Sequence, residues 1–439
     1  MEGGALGAEY RLKPKQARAF RPGYNGLGLV HGASAHRTPD TARINGLALS
    51  QCANSRTPQK LTHYALGRLP LAIPAVIGYC CTRDQQTQPE FAHSLHPNTP
   101  SRRHMGRFTV AEFCVGGGGQ ALGLEAAGFE CVAAVEIDAD CCTTLRLNRP
   151  HWNVLHQDMR LIDGSRWQSV DLLAAGVPCP PFSIAGKQLG INDDRDLFPE
   201  AIRIIGEMRP KAVMLENVPG FASSKFAAYR DALRLQLLDL GYESDWRILQ
   251  ASDYGVPQLR PRFILVALPK NAMAYFDWPT PVITQQTVGG TLRDLMAQRG
   301  WKGAERWADN AQRIAPTVVG GSKKHGGPDL GPTRARKQWH ELGVDGLGIA
   351  NDPPSSDFPV KAYPRLTVRM VARIQGFPDF WKFSGRKTAA YRQVGNAFPP
   401  PVAAFVGRAI ANALTGKYPT QHTSRAIQLQ LLEHHVPFC

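Results

Sequence analysis

The sequence lacks several features that would restrict its class. Its longest apolar run, residues 69–81, is interrupted by Pro70 and Pro74 and is shorter than the roughly 20 residues that a membrane-spanning helix requires. The first residues show no basic segment leading into an apolar stretch, as a secretory signal would. The nine cysteines include no Cys-x-x-Cys pair, which argues against a zinc ribbon and a disulfide framework. We therefore expect a protein of a reducing cytoplasm without membrane association.

Acidic residues are scarce relative to basic ones. The chain has 36 Asp and Glu against 51 Lys and Arg, a formal net charge of +15. A nucleic acid is thus a candidate partner, although a merely basic protein fits the charge as well. Residues 1–104 hold 13 Lys and Arg and 5 Asp and Glu, so +8 of the charge lies there. This segment shows no helical or strand periodicity, and we expect a disordered extension that is dispensable for catalysis, with Met105 as a working start.

From residue 105 onward, short apolar runs alternate with amphipathic segments. This alternation predicts βαβ units and an α/β fold with a mainly parallel sheet. The predicted strands cover 108–114, 131–136, 153–156, 170–175, 212–217, 245–250 and 262–268, and the predicted helices between them cover 119–127, 138–147, 197–208 and 225–240. We predict a catalytic domain over 105–269 that resumes at 365–414, a smaller irregular domain over 270–364 and a tail over 415–439.

A run of glycines follows the first predicted strand. Gly116 to Gly119 precede a helix, and Glu136 ends the next strand 20 residues after Gly116. Glycines let a backbone approach a ligand closely, and a carboxylate at this spacing can accept both hydroxyls of a ribose. A purely structural turn and a dinucleotide site are alternatives. Asp158, after the third strand, would meet an adenine amino group or cap a helix.

A cysteine in a proline-rich loop follows the fourth predicted strand. Cys179 has proline on both sides and lies at the carboxyl edge of the sheet, where open α/β folds bind ligands. We interpret it as a nucleophile rather than a small buried hydrophobe. Glu216, at the end of the next strand, would hydrogen-bond or protonate a polar ring whose other edge the thiol attacks. A helix cap or an ion pair is the structural alternative for this carboxylate.

Basic residues stand out in two further places. Arg260 and Arg262 lead into the last predicted strand and share a face, because alternate strand residues point the same way. They are suited to an anion or a ring carbonyl. Residues 322–338 contain five Lys or Arg and one acid. Glycines there permit close approach to phosphates, so this segment is a candidate nucleic-acid surface, with a solvated charged face as the alternative.

The chain resembles the bacterial DNA (cytosine-5)-methyltransferase family. The matching motifs occur in family order over about residues 106–414: FCVGGGG, VEID, QDM, GVPCPPFS, NDDRDLF, LENVPGF, QLRPR, RLTVRMVARIQGFP and QVGNAFPPPVA. The resemblance implies a Rossmann-like S-adenosylmethionine-dependent methyltransferase fold with a mainly parallel sheet and a target-recognition domain at 270–364. It also implies methyl transfer to C5 of a cytosine flipped out of a specific duplex sequence, through a covalent adduct between Cys179 and C6.

The resemblance assigns roles to individual residues. The catalytic set would be Cys179 as the nucleophile, Glu216 as its acid partner and Arg262 as a contact to the cytosine carbonyl. The S-adenosylmethionine pocket, with no metal, would comprise Cys114, Gly116, Gly118, Gly119, Glu136, Asp158, Pro178 and Asn396. The DNA contacts would come from Lys323, Lys324, Arg334 and Arg336. Double-stranded DNA is the implied partner, a cognate restriction endonuclease is a candidate one, and a monomer in the cytoplasm, associated with the nucleoid, is expected.

Three residues depart from the family pattern, and two other functions stay open. Cys114 stands where an aromatic side chain usually packs on adenine, Gly117 extends the glycine run to four, and Met370 replaces a common acidic residue. We expect weaker adenine stacking, a more flexible loop and looser packing at these positions. An RNA cytosine-5 methyltransferase and a catalytically weak DNA-binding relative are the alternative functions. A nicotinamide dehydrogenase would leave Cys179 and Glu216 unexplained.

Overall fold

A seven-stranded sheet forms the centre of the fold. The structure is a computed structural model, and it describes residues 108–178, 196–282, 285–321, 327 and 329–417. The strands are β1 (Phe108–Phe113), β2 (Phe129–Glu136), β3 (Val154–His156), β4 (Leu172–Gly176), β5 (Ala212–Asn217), β6 (Glu243–Gln250) and β7 (Pro261–Leu268). Their order is β3-β2-β1-β4-β5-β7-β6. Strands β1 to β5 pair in parallel, whereas β7 is antiparallel to both β5 and β6. The predicted mainly parallel sheet is confirmed, with every strand end within two residues of its predicted position.

Eleven α-helices occur in the described ranges. They are α1 (Gly119–Ala126), α2 (Ala139–Asn148), α3 (Phe198–Met208), α4 (Ala227–Asp239), α5 (Lys270–Met273), α6 (Val288–Ala297), α7 (Ala304–Asn310), α8 (Thr333–His340), α9 (Val368–Ile374), α10 (Lys387–Asn396) and α11 (Pro400–Leu414). Helix α3 forms as its pattern predicts, because Ala201, Ile204, Ile205 and Met208 recur at helical spacing and are all buried. None of the helices in these ranges is both long and apolar enough to cross a membrane.

The sheet is covered on both faces. Val110 of β1 belongs to the hydrophobic cluster that includes residues of α1 and α11, such as Leu124 and Val406. Ala111 and Phe113, which point the other way, belong to the cluster that includes α3 and α4. Burial on both faces explains why the central strands are almost continuously apolar.

The described part of the region 270–364 contains four helices, α5 to α8, where the sequence pattern predicted no regular elements. Three of its tryptophans, Trp301, Trp307 and Trp339, are 3%, 5% and 0% exposed. They belong to the same hydrophobic cluster as the residues of α1 and α11. The region therefore shares a core with the rest of the described chain instead of building a separate one.

Helix α9 corrects one sequence expectation. Its N-cap is Thr367, whose hydroxyl accepts a hydrogen bond from the Met370 backbone N–H at 3.2 Å. The Met370 sulfur accepts a bond from the Thr367 N–H at 3.4 Å, so the methionine completes a reciprocal cap. Met370 is also fully buried. The expected loosening of the packing at this position is therefore wrong, because methionine supplies both the cap and the apolar volume.

Candidate active site

The carboxyl ends of the parallel strands bring most predicted site residues to one edge of the sheet. Gly116 follows β1, Glu136 ends β2, Asp158 follows β3, and Glu216 lies one residue before the end of β5. Because β7 is antiparallel, its amino end reaches the same edge, and Arg262 is its second residue. The strand order reverses at β1 and β4, which is where open α/β sheets bind ligands.

Glu136 is held in place by two backbone donors. The N–H groups of Gly116 and Asp138 each donate to one of its carboxylate oxygens at 2.7 Å. Burial raises the pKa of Glu136, and these hydrogen bonds oppose that shift. Gly116 has a φ of 59°, which favours glycine, and nothing lies within 4 Å of where its Cβ would stand. The loop therefore leaves open space beside a fixed carboxylate, as a ligand with ribose hydroxyls would require.

The other glycines of the run serve packing within the protein. A Cβ at Gly118 would lie 2.6 Å from the Trp381 ring, and one at Gly119 would lie 2.1 Å from the carbonyl oxygen of Phe398. The carbonyl of Gly117 accepts a hydrogen bond from Trp381 Nε1 at 3.0 Å. The loop is thus packed against the C-terminal part of the chain, and the added flexibility expected of a fourth glycine stays a prediction.

Two side chains beside the loop, Cys114 and Ile137, have sulfur or apolar surface at this edge of the sheet. Cys114 is half-buried, and its Sγ lies 3.5 Å from the sulfur of Met159. Ile137, directly after Glu136, is 63% exposed although it is large and apolar. Sequence reasoning missed Ile137, but its position after a strand-ending carboxylate could have indicated it. An apolar surface is therefore available at this edge without the aromatic residue that Cys114 replaces.

Asp158 caps a short helical turn. Its Oδ1 accepts a hydrogen bond from the Arg160 N–H at 3.0 Å and lies 3.4 Å from Arg160 Nε. The turn covers Met159–Leu161. The capping alternative for Asp158 is therefore observed, and any contact with a ligand would be additional.

Glu216 and Arg262 form a buried ion pair. Arg262 Nε lies 3.0 Å from Glu216 Oε1, and both side chains are 11% exposed. Burial raises the pKa of Glu216, while the positive charges of Arg262 and Arg260 oppose that shift. The carboxyl group is thus suited to hold a proton or donate it at the strand edge.

Asn217 binds the backbone just after β4, two residues before Cys179 in the sequence. Its Nδ2 donates to the carbonyl of Val177 at 3.3 Å, and its Oδ1 accepts from the N–H of Val218 at 2.8 Å. Sequence reasoning did not single out Asn217, although it follows Glu216 directly. Pro178 is half-buried at the end of this loop's described part. Cys179 lies outside the described residues.

The Arg260 side chain is buried and hydrogen-bonded to the backbone. It is 1% exposed and donates to the carbonyl oxygens of Val318 at 2.6 Å, Gly395 at 2.7 Å and Ala397 at 3.0 Å. The expectation that Arg260 and Arg262 both serve an anion or a ring carbonyl is therefore wrong for Arg260, because its donors bind backbone oxygens. Arg262 keeps the position beside Glu216.

The remaining predicted residues lie in the C-terminal half. Asn396 is exposed, and its Nδ2 donates to the carbonyl of Gly321 at 3.2 Å. Arg334 is exposed and Arg336 half-buried on α8. The other two predicted DNA contacts, Lys323 and Lys324, lie outside the described residues. Within the described ranges, no three His, Cys, Asp or Glu side chains are grouped as a metal site would require.

The strand order with an antiparallel β7, the glycine loop and Glu136 define a Rossmann-like methyltransferase fold. The model of the C-5 cytosine-specific DNA methylase family matches residues 108–412. The Type II methyltransferase M.NaeI of Lentzea aerocolonigenes is 56% identical over 309 residues, covering 70% of this chain and 75% of that protein. M.NgoMIV of Neisseria gonorrhoeae is 53% identical over 312 residues, covering 70% and 98%. The chain belongs to the C-5 cytosine-specific DNA methylase family and is a DNA cytosine-5 methyltransferase.

A solved structure agrees with this fold. The methyltransferase EhMeth of Entamoeba histolytica superposes with a TM-score of 0.52 at 15% identity, covering 70% of this chain and 99% of that one. At that identity, the likeness concerns the fold alone.

Proposed function

We propose that the chain methylates a cytosine that has been flipped out of duplex DNA, through a covalent adduct with Cys179. The observation that carries the proposal is the buried pair of Glu216 and Arg262. Glu216 lies on β5, which pairs with β4, and the chain continues from β4 towards Cys179; Arg262 lies on β7, on the other side of β5. A carboxyl group with a raised pKa and a guanidinium can hydrogen-bond the polar edge of cytosine from that position.

The cofactor residues fit S-adenosylmethionine, which supplies an electrophilic methyl group when bound. Glu136 would accept the ribose hydroxyls beside the open space at Gly116. Ile137 would cover the adenine ring with its exposed apolar surface. It would take over the packing that an aromatic side chain at position 114 usually provides. Asp158 would meet the adenine amino group. The remaining pocket residues would be Gly118, Gly119, Pro178 and Asn396.

Besides the protein residues, the chemistry needs only the methyl donor and a water molecule that accepts the C5 proton. The Cys179 thiolate would form a bond to C6 while Glu216 donates a hydrogen bond or proton at N3, which leaves an electron pair available at C5. C5 then takes the methyl group. Loss of the C5 proton to water restores the C5–C6 double bond and expels the Cys179 thiolate from C6, and the proton at N3 returns to Glu216. Arg262 would hold the cytosine carbonyl oxygen, and this access requires a base outside the duplex.

Residues 270–364 would recognise the target sequence, because one flipped base cannot specify a longer site. Lys323, Lys324, Arg334 and Arg336 would bind the DNA backbone. The similar Type II methyltransferases suggest a restriction-modification context, so a cognate endonuclease would cleave the same sequence unless this chain had methylated it. The enzyme would act as a monomer.

The test is methyl transfer from tritiated S-adenosylmethionine to duplex DNA and to RNA. We expect incorporation into DNA at C5 of one cytosine within a defined sequence, and Cys179→Ala should abolish it. Cys439→Ala, which changes another cysteine, should retain activity. Duplex DNA with 5-fluorocytosine at the mapped target should trap the wild-type protein, because fluorine blocks the elimination step. Incorporation into RNA alone, or no denaturant-stable adduct, would refute the proposal.

A further inference from the structure

The imidazole of His156 is hydrogen-bonded to the backbone beside a proposed cofactor contact. His156 is the last residue of β3, and it pairs with Glu136, the last residue of β2. Its exposed ring places Nε2 3.0 Å from the carbonyl oxygen of Ile137, the residue after Glu136. A carbonyl oxygen only accepts hydrogen bonds, so Nε2 carries the hydrogen and donates it. The imidazole therefore extends the contact between β2 and β3 by one residue beyond the strands.

Ile137 lies where the chain leaves the sheet. It is one of two residues between β2 and α2, and the other, Asp138, caps α2 with its side chain. The Asp138 N–H donates to the Glu136 carboxylate at 2.7 Å, and the Glu136 carbonyl accepts a bond from the Gln157 N–H at 3.0 Å. The residues on both sides of Ile137 are thus held in place, and the bond from His156 holds the carbonyl of Ile137 itself.

The Ile137 side chain has little support from packing. It is 63% exposed, so neighbouring side chains do not fix its direction. Its direction then depends on the backbone that carries it. The peptide group after Ile137 can turn only through the soft backbone dihedrals on either side of it. A hydrogen bond to its carbonyl oxygen restrains that rotation and therefore the direction in which the Cβ points.

We propose that His156 is a positioning residue for the adenine end of the cofactor and acts by holding the backbone of Ile137. This rests on the proposed function, in which Ile137 covers the adenine ring and Glu136 accepts the ribose hydroxyls. The two contacts come from adjacent residues, so a restrained backbone presents the apolar surface at a fixed place relative to the carboxylate. A surface that is ordered before binding loses less entropy when the ligand binds. His156 therefore adds to the affinity without contacting the ligand.

Calorimetric titration of the full-length protein with S-adenosylhomocysteine, without DNA, measures this contribution. His156→Ala should weaken binding by about 5-fold, the effect of one ordinary hydrogen bond. His156→Gln should restore most of the affinity, because its amide nitrogen lies about as far along the side chain as Nε2, whereas the shorter His156→Asn should not. His151→Ala is the matched control, because His151 is also exposed and makes no hydrogen bond within the described residues. The thermal midpoint of the ligand-free protein should change little in all four variants.

A double-mutant cycle separates positioning from a direct contact. Ile137→Ala should itself weaken S-adenosylhomocysteine binding, and adding His156→Ala should cause little further loss, because alanine offers no apolar surface to position. If His156→Ala does not fold, His156→Asn takes its place in the cycle. A full second loss would overturn the inference, as would unchanged binding in either single variant, and these results would leave DNA methylation intact. A wild-type protein that does not bind S-adenosylhomocysteine would instead refute the proposed function.

Discussion

Replacing Arg262 by methionine should destabilise the protein in a pH-dependent way. Methionine approximates the length of the side chain but leaves Glu216 buried without its ion-pair partner, 3.0 Å away in the wild type. Burial raises the pKa of Glu216 above its ordinary value, and Arg262 is the first of the charges that oppose this shift. The variant should therefore raise that pKa further.

The sign of the pH effect follows from the raised pKa. Below the pKa of Glu216 in the folded wild type, the carboxyl is protonated in both folded proteins, so the two stabilities should be similar. As the pH rises through that value, the wild type ionises against Arg262 and the variant cannot. The loss should then reach the range of a broken buried pair, about 3–5 kcal/mol in the free energy of unfolding.

Urea unfolding at a series of pH values from about 4 to about 8 would follow this difference as it grows with pH. Arg365→Met is the matched control, because Arg365 and Asp345 also pair at 2.7 Å but are 49% and 30% exposed. An exposed pair should contribute at most about 1 kcal/mol. Adding Glu216→Gln to Arg262→Met should remove the pH dependence. A loss that stays equal over the whole pH series, or a loss no larger than in the control, would refute the reasoning.

Three further predictions concern packing, DNA binding and the N-terminal segment. Gly119→Ala should lower the free energy of unfolding by about 3 kcal/mol in urea, because its Cβ would lie 2.1 Å from the Phe398 carbonyl oxygen, whereas Gly206→Ala in α3 should not destabilise. Lys323→Ala with Lys324→Ala should weaken DNA binding evenly across sequences and reduce the dependence of the affinity on salt concentration. If the variant instead methylated a different sequence and kept the wild-type salt dependence, these lysines would contact bases and not phosphates. A chain that begins at Met105 should keep its turnover and thermal midpoint, and weaker DNA binding at low salt would identify residues 1–104 as a basic arm; failure to fold would show that they contain a structural element.

The sequence predicts the features that depend on local pattern. Helix α3 follows from apolar residues at helical spacing, and the central strands follow from apolar runs of strand length. The position of Glu136 follows from the strand that precedes it, since the carboxyl ends of parallel strands meet at one edge. Local pattern therefore locates the candidate site before any contact is known.

Contacts between distant segments could not be predicted in the same way. The sequence marks Gly118 and Gly119 as glycines but does not show that Trp381 and Phe398 occupy the space at their side. It shows that Arg260 is basic, but it does not show that the guanidinium donates hydrogen bonds to three carbonyl groups distant in the sequence. Asp158 likewise fits a ligand contact or a cap until Arg160 is placed. In each case, the partner is chosen by tertiary packing, which sequence spacing does not encode.

The direction of β7 decides whether Glu216 has a partner at all. The apolar run Phe263–Leu268 fits a parallel and an antiparallel strand equally well, so the sequence identified Arg262 without placing it beside Glu216. In the observed antiparallel pairing, Glu216 lies opposite Ile264, two residues from Arg262. A parallel strand at the same place would put Arg262 at the opposite edge of the sheet, roughly 20 Å away at about 3.3 Å per residue. The proposed catalytic pair is thus a consequence of the one strand that breaks the parallel order, which is why the residues were predictable and their contact was not.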